Sequence, residues 1–181
     1  HAGLRLSEGR SAIRKMAEKI IDIEAMTSED CSFSVGVMQA GKWVNCVSSK
    51  ASAEVLSMSK RQEDLDDGIA RMLEHNDPDG EVITKVKLGL TRPVWTPSTA
   101  GLKLVELAND LATQLGQPFR HESSGGGSDG NFTGAMGVPT LDGLGVAGDK
   151  YHTLEEHIEI DSLAMRGKMM AGLLMGIDQN F

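Results

Sequence analysis

Cysteine is scarce in this chain. Cys31 and Cys46 are the only two in 181 residues, which excludes a disulfide framework and makes a reduced, cytoplasmic setting the expectation. Basic side chains are in deficit, 18 against 26 acidic ones, for a formal net charge of −8. A surface so charged excludes nucleic acid and anionic membrane as main partners. No apolar run approaches the roughly 20 residues of a membrane span, and no signal-peptide h-region follows His1. The chain opens on histidine instead of methionine, so a fragment or trimmed product is expected. What is present, 40% hydrophobic and 24% charged residues, is the composition of a globular protein with one ordinary domain or two small ones.

Apolar periodicity organises the first half. Ile13, Met16, Ala17, Ile20 and Ile21 recur at helical spacing and predict a helix over 8–25, with Ser7 as its cap. The alternation of 32–37 reads as a strand. Ala40-Gly41 turns it into a second strand over 42–48, and a short extended piece follows at 55–58. Leu65, Ile69, Met72 and Leu73 predict a helix over 61–75. The turn Asn76-Asp77-Pro78-Asp79-Gly80 leads to a strand over 81–88. One strand added before His1 would complete a ferredoxin-like split β-α-β unit, a small antiparallel sheet with two helices on one face.

Pro93 and Pro97 mark a boundary. A helix over 99–116 follows, then the glycine run, a short helix over 131–136 and a buried strand over 140–144. Asp161 is expected to cap a last helix that turns Leu163, Met170, Leu174 and Ile177 inward. About 85 residues are too few for a complete doubly wound domain. The class is therefore α/β, with an α+β unit followed by part of an α/β layer.

The run Gly125-Gly126-Gly127-Ser128-Asp129-Gly130-Asn131 matches G-x-G-x-x-G in letters. It is no dinucleotide site, because 119–124 makes a poor preceding strand. It lacks the lysine of a phosphate-binding Walker loop. A structural turn and an anion loop remain open, the latter because amides at a glycine-to-helix junction lack partners. Of five histidines, His152 and His157 are five residues apart. On an ideal helix the second ring points about 140° from the first, so they do not form the zincin pair. Cys31 and Cys46 lie in strand-like contexts and read as core.

Taken together, several segments resemble one family. They are His1-Ala2-Gly3 leading into Gly9-Arg10-Ser11-Ala12-Ile13, Gly41 with Asn45-Cys46-Val47, Arg92-Pro93, Gly126 to Asn131, Gly137-Val138-Pro139-Thr140, and Tyr151-His152-Thr153 with Glu156-His157. Their order and spacing are similar to the zinc-dependent exopeptidases and amidohydrolases of the glutamate carboxypeptidase, acetylornithine deacetylase and aminoacylase family, and most to its glutamate-carboxypeptidase-like branch.

The resemblance implies two domains: residues 1–94 as a lid or dimerisation domain lacking its first strand, and 95–181 as the C-terminal part of a catalytic α/β domain holding two zinc ions. It implies that His152 is a zinc ligand, and that His1 reaches into the partner subunit's active site to stabilise the tetrahedral oxyanion. Asn45 would face the substrate, and Arg92 would clamp its free carboxylate. Gly126, Gly127 and Ser128 would support that carboxylate from the backbone. The implied reaction is cleavage of a peptide or N-acyl amino acid amide bond by metal-activated water, in a homodimer joined through the lid. The family's H-x-D motif, bridging aspartate, paired glutamates and remaining acidic ligand have no match here. The 181-residue chain alone is therefore expected to be inactive. The alternative is a non-catalytic dimerisation or ligand-binding module.

Overall fold

In the computed structural model the chain is described over residues 1–180, with side chains as far as Ile177. It divides into two compact units, His1–Val94 and the residues from Trp95 onward. No helix of the described residues is long and apolar enough to cross a membrane.

In the N-terminal unit a 3₁₀ turn, Leu6–Glu8, precedes helix α1, Ala12–Glu24. The cap is Ser11, not Ser7: its hydroxyl accepts the Arg14 amide, so the helix starts later than the periodicity predicted. Strand β1, Cys31–Ala40, pairs antiparallel with β2, Ala51–Ser59, and helix α2, Gln62–Leu73, follows. A bulge between Val35 and Val37 shifts the register. The strand expected over 42–48 does not form. Gly41, at φ +75°, ends β1, and a turn closed by the Cys46 amide on the Trp43 carbonyl begins an irregular loop. The strand expected over 81–88 is reduced to one bridge, Asp77 with Thr84. Among its described residues the N-terminal unit thus carries a two-stranded sheet, its second strand containing the extended piece expected at 55–58, and the split topology is not completed.

One face of this hairpin is covered. Cys31 and Phe33 are buried together with Ile23 of α1, and Met26, Val35, Val55 and Met72 pack around them. Leu65 and Gly68 are the buried positions of α2. Gly68 is small for a reason: a Cβ there would stand 2.6 Å from the Cys31 sulfur and 3.3 Å from Phe33.

At the end of α2, His75 is half-buried with its Nδ1 3.5 Å from the Lys19 Nζ of α1. Burial lowers its pKa below 6.5, and the Lys19 charge adds to that; Asp22 and Glu74 oppose. The folded unit therefore resists a proton that the unfolded chain accepts. Stability is expected to be constant above the ordinary histidine range and to fall as pH drops from 7 to 5. Urea titrations at pH 7.5 and 5.5 check this, and His75→Gln should flatten the difference.

In the C-terminal unit helix α3, Thr99–Gln114, is capped by Ser98, whose hydroxyl accepts the Gly101 amide. It ends at Gly116, φ +65°, with the Gln117 amide on Ala112 and the Gly116 amide on Thr113. That is the paired-bond glycine stop of many helices. A short helix α4, Gly130–Ala135, a two-residue pair β3, Gly148–Asp149, and β4, His157–Ile158, and helix α5, Ile160–Asn180, complete the unit.

Ala108 and Ala112 of α3 meet Met169 and Leu173 of α5 in the core. The expected strand over 140–144 is not regular, yet Leu141 and Leu144 pack against that core. Two expectations about α5 are corrected. Asp161 lies inside its first turn. The buried face carries Ser162, Met169 and Leu173, whereas Leu163 and Leu174 are 49% and 65% exposed.

Candidate functional site

His152 stands in a loop between β3 and β4. Its own φ is +64° and that of Lys150 is +59°. Non-glycine residues rarely adopt this region, and strain of this kind gathers where a side chain must be aimed. The loop is braced locally. The Lys150 amide donates to the Asp149 carboxylate at 2.7 Å. Both the amide and hydroxyl of Thr153 donate to the Lys150 carbonyl. The Tyr151 hydroxyl donates to the Gly148 carbonyl, and Lys150 pairs with Glu155. Below the loop the Ala147 amide donates to the buried Ser162 hydroxyl at 2.9 Å, joining it to α5. His157 is turned by its Nδ1, 2.9 Å from the Glu155 carbonyl. His152 itself is exposed.

Gly148 is the hinge of this arrangement, since a Cβ there would overlap the His157 carbonyl oxygen. That oxygen is backbone and cannot swing aside. Gly148→Ala is expected to part β3 from β4 and loosen the His152 loop at a cost of about 2 kcal/mol. Thermal unfolding measures the cost, and broadened amide resonances over 148–158 locate it.

The glycine loop is more self-contained than the sequence suggested. The Gly126 amide donates to the Ser124 hydroxyl, and the Ser128 amide to the Asn131 side-chain oxygen. The Ser128 hydroxyl accepts the Gly130 amide. Asn131 and Phe132 amides reach the Ser128 and Asp129 carbonyls. The first-turn donors of α4 are therefore already satisfied. Gly125 and Gly127 are the amides of the run with no protein acceptor among the described residues.

In the N-terminal unit the structure brings His1 and Asn45 to one end, where the Ala2 amide donates to the Asn45 carbonyl at 2.9 Å. The His1 Nδ1 accepts the Gly3 amide, which leaves the ring proton on Nε2. Arg92 is exposed in the segment without regular structure that follows the Asp77–Thr84 bridge.

A bridged metal pair needs several histidine and carboxylate ligands. Among the described residues no three His, Cys, Asp or Glu side chains gather to hold a metal. A single histidine supplies one ligand, so these residues alone do not make a metal centre. What they can do is bind and orient. Sequence reasoning passed over Lys42 and Lys50, although residues 31–53 contain no aspartate or glutamate at all. It also passed over Ser162, whose hydroxyl ties the His152 loop to α5.

The N-terminal unit thus carries a two-stranded hairpin with two helices, and the C-terminal unit a strained histidine loop and a glycine turn. The chain resembles aminopeptidase PepT from Bacillus cereus with a TM-score of 0.64 at 25% identity, covering 96% of this chain and 47% of that one. A tripeptidase from Staphylococcus aureus gives 0.64 at 24% identity, with the same coverages, and extends the likeness of fold. Among curated proteins, the uncharacterized protein YqjE of Bacillus subtilis (strain 168) is 25% identical over 96% of this chain and 47% of its own length. Carboxypeptidase G2 of Pseudomonas sp. (strain RS-16) is 26% identical over 98% and 44%. Residues 7–176 match Peptidase family M20/M25/M40, and the chain belongs to that family of peptidases. It spans about half the length of the curated relatives it matches.

Proposed function

We propose that the chain is the C-terminal part of a zinc-dependent hydrolase that releases a residue with a free carboxylate from a peptide or an N-acyl amino acid. The observation that carries this reading is the family match over residues 7–176, with His152 held at positive φ in a loop braced from both sides. In this reading 1–94 is the lid and 95–181 is the C-terminal part of the catalytic domain. The two zinc ions are completed by ligands beyond these residues. The proton on the His1 Nε2 suits it to donate to a developing oxyanion. The Gly127 amide, Ser128 and the Arg92 guanidinium are the groups suited to a terminal carboxylate.

The 181-residue chain with zinc added is expected to leave N-acyl glutamates intact. The whole protein is expected to hydrolyse them in a chelator-sensitive way, and His152→Ala to lose that activity with its fold unchanged by circular dichroism. A whole protein inert with every N-acyl amino acid and dipeptide tried would sink the reading. It would leave the dimerisation or ligand-binding module.

The lid reading carries a homodimer. Each strand of a two-stranded hairpin keeps one unpaired edge, and such an edge recruits a second strand. Sedimentation velocity is expected to show a dimer, and only monomer across a wide concentration range counts against it.

A further inference from the structure

Helix α4 has six residues, far below the length at which a helix holds alone in water. None of its residues is buried, and none belongs to the cluster that joins α3 and α5. Trp95, half-buried at the start of the C-terminal unit, packs against it. Gly130 and Gly134 are one helical step of four apart and share a face. The indole lies along that face. A Cβ on Gly130 would stand 3.5 Å from Cζ3 of its six-membered ring, and one on Gly134 would overlap Nε1 and Cδ1 of its five-membered ring. Glycine inside a helix is otherwise unfavourable, and the ring that the pair admits accounts for both.

The glycine loop is tied to the first turn of this helix. The Asn131 side-chain oxygen accepts the Ser128 amide at 2.9 Å, and the Ser128 hydroxyl accepts the Gly130 amide at 3.0 Å. The Asn131 amide returns to the Ser128 carbonyl, and the Thr133 hydroxyl donates to the Gly130 carbonyl. Where α4 goes, Ser128 follows, and α4 rests on Trp95.

We infer that Trp95 is a positioning residue. Its indole, seated on Gly130 and Gly134, fixes α4, and through α4 it places the Gly127 amide and the Ser128 side chain that meet the free carboxylate of the substrate. The inference rests on the hydrolase reading for that carboxylate. Trp95 acts through the helix and does not itself touch the substrate.

Two variants approach the contact from its two sides. Trp95→Ala empties the seat. Gly134→Ala obstructs it while raising the intrinsic helix preference of α4, so any loosening it causes comes from the displaced ring. In the 181-residue chain each is expected to lower hydrogen-exchange protection of the Ser128 and Gly130 amides roughly tenfold and to leave α3 and α5 unchanged. Trp95→Phe keeps a flat ring and should restore most of that protection. The double variant should be no looser than Trp95→Ala alone, because the added methyl then has no ring to meet. In the whole protein, Trp95→Ala should raise KM for N-acetyl-glutamate roughly tenfold with kcat within about twofold, the pattern of lost binding and intact chemistry.

Unchanged loop protection in both single variants, a loss shared equally by α3 and α5, or a Trp95→Phe chain as loose as Trp95→Ala would each overturn the assignment. The exchange measurement cuts no bond and stands apart from the hydrolysis assay. If the whole protein is inert, the hydrolase reading fails, and a loop loosened by Trp95→Ala still upholds the anchor. An active protein whose KM ignores Trp95→Ala keeps the hydrolase and removes the positioning role.

Discussion

Phe33→Ala is expected to destabilise the N-terminal unit by about 4 kcal/mol. Phe33 is 4% exposed and sits at the centre of the cluster that joins α1, the hairpin and α2. Its ring also carries the Arg71 guanidinium, 5.5 Å from the centroid, which at the same time donates to the Met26 carbonyl. Truncation removes the ring from its burial, opens a cavity beside Gly68 and leaves Arg71 without its platform. Domain stabilities of about 5–15 kcal/mol mean that one such loss is a large fraction of the total. The measurement is the urea midpoint by circular dichroism. Phe33→Leu, which keeps most of the volume, should cost under about 1.5 kcal/mol. An unchanged midpoint in Phe33→Ala would place the core elsewhere.

Leu173→Ala is expected to cost the C-terminal unit about 3 kcal/mol, and its neighbour Leu174→Ala close to nothing. The contrast follows from burial, 3% exposed against 65%. Leu173 shares one buried cluster with Ala108 and Ala112 of α3 and with Met169, and Ala112 is wholly buried, so shortening Leu173 leaves a cavity in that core. Leu174 loses little contact when shortened. Paired thermal melts decide between the buried face described above and the one that the hydrophobic pattern proposed. Equal losses from the two variants would remove the distinction.

Why that pattern chose the wrong face of α5 is instructive. The helix is apolar on most sides, from Leu163 through Met169 and Met170 to Leu173 and Leu174, so periodicity carries no preferred direction. The discriminating signal is in the small residues. A Cβ on Gly172 would come within 3.0 Å of Leu111, and one on Gly176 within 3.3 Å of Leu107. Glycines at that spacing mark where the second helix comes close. Helix α3 was legible, 99–116 against Thr99–Gln114, because a serine cap, a regular apolar stripe and a glycine stop all agree.

The hairpin was legible in its first strand and in part of its second, since the extended piece expected at 55–58 lies inside Ala51–Ser59. Its second strand is built from Ala51, Ala53, Val55 and Ser57, side chains too small to announce a buried face. The more apolar 42–48 drew the pairing with the first strand, although Gly41 and the Trp43–Cys46 turn forbid it. In the glycine loop, residue types foretold a turn into a helix. They did not foretell that Ser124, Ser128 and Asn131 would take up most of its amides. Satisfaction of a donor depends on rotamers, and sequence spacing does not fix those.

The bracing of the His152 loop has a kinetic consequence. Its bonds join residues one to five apart, and the tie from Ala147 to Ser162 spans fifteen. Closing such short segments takes little chain entropy and proceeds in well under a microsecond to a few microseconds. The α3–α5 core must instead bring together residues such as Ala108 and Leu173, far apart in sequence, and low contact order is what makes folding fast. The backbone path of the His152 loop is thus encoded in its own neighbourhood, and most of it can form before the helices find each other.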